Sequence, residues 1–205
     1  MPSARSGHWR ARRWRVLVGV VIALSSVVMT EAAATELPIA MKSVTAKVAA
    51  CFTPAEDCES VIVQVINNAR THIQVQAYSF TSLPILHALR EAAQRGVAVD
   101  LVLDKSDGLK NGSPKLYSPA GLMAAAGAHV WIDNHSGIAH NKVIIIDGAL
   151  TVGGSFNYSK NAATRNRENV TFIEGTEVAA AFAANWEARR KVSVYFNDLL
   201  KVRGQ

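Results

Sequence analysis

The chain lacks a grouping of residues suited to hold a metal and has no apolar run long enough for an ordinary membrane span. It has two cysteines, Cys51 and Cys58, with no histidine near them in sequence, which makes a zinc site a poor fit. No acidic cluster has the spacing that suits magnesium or calcium, so the expectation is chemistry without a metal or other cofactor. The apolar run at residues 16–29 is 14 residues long, short of the roughly 20 a helix needs to cross a bilayer. There is no internal repeat, no low-complexity tract and no aromatic series of the kind that stacks single-stranded nucleic acid.

The N-terminus accounts for most of the charge. Arg5, Arg10, Arg12, Arg13 and Arg15 precede the apolar run with no acid among them, and Ala32-Ala33-Ala34 follows it. This reads as a secretory leader over residues 1–34, cleaved after Ala34 with Ala32 as the alternative, which sends the protein to the periplasm or outside the cell. An uncleaved anchor is the weaker reading. Arg12-Arg13 also fits a twin-arginine route, although such a pair more often only supplies positive charge. Residues 1–34 hold five arginines and one acid, so the rest keeps 17 basic and 15 acidic residues and the net charge falls from +6 to +2. The whole-chain charge is therefore no argument for a polyanion partner, and any basic patch must be local. In an exported protein Cys51 and Cys58, seven apart, read as a small-loop disulfide pinning the turn between the first strand and the first helix.

The remainder, residues 35–205, is the size of one domain with its own core. Strand patterns at 45–52, 72–78, 97–104, 129–132 and 170–173 alternate with helical ones at 56–69, 83–95, 120–126 and 176–192. Residues 97–104 are apolar on both alternations, as in a strand buried on both faces. Residues 105–119, with Gly108, Asn111-Gly112, Pro114 and Pro119, read as an irregular exposed loop carrying Lys105, Lys110 and Lys115. The class expected is α/β, a mixed sheet with helices on both faces.

The chemistry is concentrated in residues 134–161. Residues 142–146 and 149–153 are short apolar runs flanking Asp147-Gly148, a hairpin turn signal. With an even number of loop residues, His140, Lys142, Ser155 and Asn157 project from one face of the hairpin, whereas a three-residue loop shifts that parity. An imidazole, an ammonium, a hydroxyl and an amide together suit a phosphate group undergoing attack. A lone His-x-Lys would most often be the solvated face of an amphipathic strand. Here the pattern continues, as His-x-Lys-x4-Asp-x6-Gly-Ser-x-Asn from His140 to Asn157.

That pattern resembles the signature of the phospholipase D superfamily, the HKD phosphodiesterases, in its small single-motif nuclease branch. Val75-Gln76-Ala77-Tyr78-Ser79-Phe80-Thr81 and the turn Arg95-Gly96-Val97 add to the likeness, which spans about residues 44–195. The resemblance implies His140, Lys142 and Glu168 as catalytic residues, with Glu168 orienting the imidazole, and Lys142, Ser155 and Asn157 as phosphate ligands. Asp147 and Gly154 belong to the motif as structural residues. His135, in a polar turn, is a candidate for a supporting role, while His72, His87 and His129 read as structural or surface residues. The family mechanism uses a phosphohistidine and a second histidine that protonates the leaving group. No second His-x-Lys occurs, so a homodimer sharing one active site is expected.

Three functions fit. The first is a non-specific endonuclease, the second a phospholipase D acting on lipid headgroups, and the third an inactive phosphate-binding module. Compact size, Lys105, Lys110 and Lys115 in one loop, and Lys160, Arg165 and Arg167 just after the motif favour the nuclease. A basic rim also suits anionic lipid. The inactive module is the weakest reading, since His140 and Glu168 are both present.

Overall fold

The structure, a computed structural model, describes residues 43–203. The leader expected at residues 1–34 lies outside them. In chain order the elements are β1 (Lys47–Phe52), α1 (Cys58–Asn67), β2 (His72–Ala77), α2 (Leu83–Gln94), β3 (Ala98–Asp104), α3 (Lys105–Gly108), β4 (Leu109–Lys110), β5 (Ser113–Pro114), α4 (Pro119–Ala125), β6 (His129–Asp133), β7 (Lys142–Ile146), β8 (Leu150–Gly154), α5 (Lys160–Thr164), β9 (Asn169–Glu174), α6 (Thr176–Val192), β10 (Val194–Tyr195) and α7 (Phe196–Arg203). One eight-stranded sheet runs β1-β9-β8-β7-β2-β3-β6-β10. β2, β3 and β6 are parallel, and every other neighbouring pair is antiparallel. This is the mixed α/β sandwich that the alternating patterns imply.

Local sequence explains the starts of the helices. Asp57, Ser82 and Ser118 each accept a backbone N–H of the first turn, and Pro84 and Pro119 sit where the missing donor costs nothing. After α2 the chain reverses at Gly96, with φ of 88°, and enters β3. Successive β3 residues then bury opposite faces. Leu101 and Leu103 join the main core with Ile62, Ile85 and Phe196, while Val102 joins Val143, Ile145, Ala179 and Trp186 beneath α6. Trp186 anchors that helix by donating its indole N–H to the Val75 carbonyl at 2.9 Å.

Three local expectations are corrected. The β7–β8 loop is odd, because Ile146 pairs with Leu150 and leaves Asp147, Gly148 and Ala149 between the strands. Asp147 and Gly148 both have positive φ, 52° and 61°, and the Ala149 N–H closes onto the Ile146 carbonyl. Alternation therefore does not put the four polar motif residues on one strand face. Residues 105–119 are also more ordered than their glycines and prolines imply, forming α3 and the small β4–β5 hairpin around Asn111-Gly112. Asp107 and Gly108 are buried there, and a Cβ on Gly108 would lie 2.4 Å from Ile132 Cδ1. Finally, β10 and α7 have no counterpart among the sequence patterns; α7 packs Phe196 into the main core.

The Cys51–Cys58 disulfide is formed and spans the turn from β1 into α1. Its loop reaches further than that turn. Thr53 donates its N–H to the Glu168 carbonyl at 3.1 Å, and its hydroxyl accepts the Glu168 N–H at 3.2 Å.

Candidate active site

The motif residues converge because their strands end together, not because they share a strand face. β7 begins at Lys142, β8 ends at Gly154 and β9 begins at Asn169, with Gly154 opposite Val170 in the ladder. His140 precedes β7, and Ser155 and Asn157 follow β8. All lie at the end of the sheet where the parallel strand β2 terminates, since Lys142 pairs with Ala77. Gly154 allows the crowding. Its φ is 151°, and a Cβ there would lie 2.2 Å from the Asn169 carbonyl oxygen.

Lys142 is buried, and its Nζ donates to the His140 carbonyl at 2.7 Å. Burial lowers its pKa from the ordinary lysine value, while the nearby Glu168 charge acts in the opposite direction. Tyr78, just beyond β2, touches both residues. Its ring lies 4.7 Å from the His140 ring at 58°, and the Lys142 ammonium is 5.4 Å from its centroid. Neither imidazole nitrogen of His140 makes a hydrogen bond among the described residues, which leaves both ring positions available for proton transfer or attack.

Ser155 and Glu168 form a second cluster. The Ser155 hydroxyl donates to Glu168 Oε2 at 2.6 Å and accepts from the Asn169 backbone and side chain, while Glu168 Oε1 accepts from Asn166. The Glu168 carboxylate is thus engaged with Ser155 and Asn166; no hydrogen bond joins it to His140. Asn157 lies in the segment docked on the end of β2, where the Tyr158 carbonyl accepts the N–H groups of Thr81 and Ser82. Its side-chain Oδ1 is buried and has no partner among the described residues. A buried amide oxygen in that condition costs stability unless something else bonds it.

Asp147 sits at the opposite end of β7. It accepts the backbone N–H groups of Arg70, Thr71 and His72 and the Thr71 hydroxyl. Burial alone would raise its pKa, but the donors from His72, Thr71 and Arg70 outweigh that and hold it at about 2. Its contacts tie the hairpin turn to the start of β2.

The other candidates named from the sequence divide. His135 turns its Nδ1 toward Asp133, at 3.2 Å. Lys105 clamps the loop before the motif by donating to the carbonyls of His135 and Gly137 at 2.7 and 2.6 Å, and Lys115 holds the Ser106 carbonyl. Lys110, Lys160, Arg165 and Arg167 are exposed and make no ion pair among the described residues. The sequence assigns no role to two supports of the site, Thr53 and Tyr78, although Tyr78 lies in the stretch from Val75 to Thr81 that carries part of the family likeness. An aromatic at the end of a buried strand is a signal that could have pointed to Tyr78, but nothing local marks Thr53.

Residues 62–190 match the family model for the cardiolipin synthase, PLD-like domain. Over 146 residues the chain is 43% identical to a phospholipase D of Rickettsia prowazekii, an alignment covering 71% of this chain and 69% of that one. It is 31% identical over 138 residues to the mitochondrial cardiolipin hydrolase of Mus musculus, covering 67% of this chain and 60% of that protein. Among solved structures, Nuc from Salmonella typhimurium, a phospholipase D family member, superposes with a TM-score of 0.65 at 31% identity, covering 74% of this chain and 98% of that one. This chain belongs to the phospholipase D superfamily and is a phosphodiesterase of that class.

Proposed function

We propose that the protein is an exported, metal-independent nuclease that cleaves phosphodiester bonds through a phosphohistidine on His140. The observation that carries the mechanism is the pairing of a free imidazole with a buried ammonium. An Nε2 or Nδ1 lone pair of His140 attacks phosphorus, the bond to the leaving oxygen breaks, and that oxygen takes a proton from a second imidazole. Water, deprotonated by the same second imidazole, then displaces His140 and releases the phosphomonoester. Lys142 and the Asn157 amide, through its Nδ2, supply donors to the non-bridging oxygens, and the Ser155 hydroxyl joins them by turning its single proton from Glu168 to the phosphate when substrate binds. Glu168 holds Ser155 and lends negative charge to the site. The second imidazole comes from another copy of the chain, which makes the enzyme a homodimer around one shared site. Light scattering should give twice the chain mass, and a fully active monomer would contradict the arrangement.

Nucleic acid is the substrate favoured by charge placement, because Lys160, Arg165 and Arg167 are exposed on the segment between Asn157 and Glu168. A phospholipid is the second reading, favoured by the phospholipase D relative at 43% identity. The two separate when plasmid DNA and phosphatidylcholine vesicles are offered side by side in EDTA at low salt. The nuclease cuts plasmid, less so as salt rises, whereas choline or phosphatidic acid released beside intact plasmid reverses the assignment. Export is tested by the N-terminus of protein recovered from the periplasm or medium, expected to begin after Ala34 or Ala32.

A further inference from the structure

A cavity of about 330 Å³ opens directly beside His140. Its floor is the ends of three strands, with Gln76 and Ala77 from β2, Val102 from β3 and Asp133 from β6. One wall is the loop at residues 136–141, including His140 itself, and the other is Arg189 of α6. The volume is at the small end of the about 300–1,000 Å³ typical of ligand pockets, enough for one compact polar group next to the reacting phosphate.

Two features of this cavity have no role in the chemistry at His140. The first is Arg189. Its Nε and Nη2 both donate to Asp133 Oδ2, and Asp133 is itself buried and held from the other side by His135. A guanidinium carries five N–H donors, and this pair uses one edge of it. The side chain remains 39% exposed, so the other edge is open to a ligand. The second is Gln76. It is only 3% exposed on the sheet face that otherwise buries Val102, Val143 and Ile145, and its amide makes one long bond, 3.4 Å, to Asn185. A buried amide on an apolar face is costly unless it has further work.

We propose that this cavity is the subsite for a second phosphodiester one linkage from the scissile one, with Arg189 as the residue that binds it. This rests on the phosphohistidine nuclease reading and narrows it: the favoured substrate is a strand with consecutive phosphates, not an isolated diester. Asp133 fixes the guanidinium in place before the ligand arrives, which lowers the ordering cost of a charge-assisted, forked contact to phosphate oxygens. Gln76 supplies the neutral donor at the floor.

The experiment compares three substrates in EDTA: bis(p-nitrophenyl) phosphate, a dinucleotide with one diester and a trinucleotide with two. The wild type should prefer the trinucleotide over the dinucleotide in kcat/KM by about tenfold or more, the range of one charged hydrogen-bonded contact. Arg189→Gln should remove most of that preference through KM. Arg189→Lys, which keeps the charge without the fork, should restore part of it. Equal losses of kcat on all three substrates in Arg189→Gln would make Arg189 a structural partner of Asp133 and overturn the subsite. So would a wild type with no trinucleotide preference. A wild type that leaves bis(p-nitrophenyl) phosphate intact would instead refute the underlying phosphodiesterase mechanism, and a wild type that cleaves it only with added metal would refute its metal independence.

Discussion

At one end of β7 the Asp147 carboxylate takes three backbone N–H groups and a hydroxyl, and its pKa is drawn down to about 2. At the other end the Lys142 ammonium is buried against a single carbonyl, the His140 imidazole has only a ring contact with Tyr78, and the Asn157 Oδ1 has no partner among the described residues. Both ends are polar and both belong to the same motif. The difference is in how fully their hydrogen-bonding groups are satisfied. Saturated groups hold a turn against a strand, whereas the spare donors of Lys142 and the unbonded imidazole of His140 are available to a phosphate.

That contrast can be broken by substitution. Lys142→Ala should cost about 3 kcal/mol of transition-state stabilisation, a fall of two orders of magnitude or more in kcat, with an unchanged or raised melting temperature. Removing a buried ammonium that has only one acceptor relieves a desolvation cost. A melting temperature lowered as much as by loss of Asp147 would erase the distinction between the ends.

Asp147→Asn should do the reverse, lowering stability by about 2 kcal/mol at pH 7, the range for hydrogen bonds to a charged group, while leaving kcat in place. The pH dependence follows from the depressed pKa. The unfolded carboxyl titrates near 3.9, so the stabilisation is complete above that value and is lost as pH falls through about 2. Chemical denaturation from pH 7 to pH 2 should therefore show wild type and variant converging at the acid end.

Tyr78→Leu sharpens the functional end. Losing the ring that touches both His140 and Lys142 should lower kcat about fivefold, in line with a cation–π and ring contact of roughly 1 kcal/mol, and Tyr78→Phe should restore it. If Tyr78→Phe is as impaired as Tyr78→Leu, the hydroxyl matters and the ring contact does not explain the effect.

A separate, pH-dependent effect belongs to Asp107, beneath the β4–β5 hairpin. Burial is the main cause raising its pKa, to about 7; Asp104 adds to this, while the Phe80 N–H and Lys115 oppose it. Because the folded form keeps its proton where the unfolded form has lost it, this group makes the protein progressively less stable from about pH 4 to pH 7 and no further above that. Asp107→Asn should raise the melting temperature more at pH 8 than at pH 5. An equal shift at both would mean the carboxyl is not titrating in that window.

The elements of this fold are largely legible in the sequence because their patterns are local. The doubly apolar β3, the serine and aspartate caps, and the turn at Gly96 each follow from neighbouring residues. The hairpin register is not legible, since Asp147-Gly148 fits an even loop as well as the three-residue one, and the choice depends on Asp147 reaching Arg70, Thr71 and His72 in another strand's approach. The convergence of His140, Lys142, Ser155 and Glu168 is likewise readable from the motif, but its cause is not. It depends on Gly154 fitting against the Asn169 carbonyl and on Thr53, in the disulfide loop, holding the backbone of Glu168 from more than a hundred residues away. Buried Asp107 and Gly108 are hidden for the same reason, because a segment rich in glycine, proline and lysine looks solvent-exposed until Ile132 is found packed against it.

Catching the enzyme during turnover probes the role of His140 at its root. Bis(p-nitrophenyl) phosphate is mixed with the protein in EDTA, the reaction is quenched within a turnover, and the intact chain and its peptides are weighed. A nucleophilic His140 leaves a p-nitrophenyl-phosphoryl adduct on the peptide that holds it, absent from His140→Ala, which is also inactive. Turnover with no adduct on any trapping timescale, or an adduct on another residue that survives in His140→Ala, would contradict the phosphohistidine mechanism.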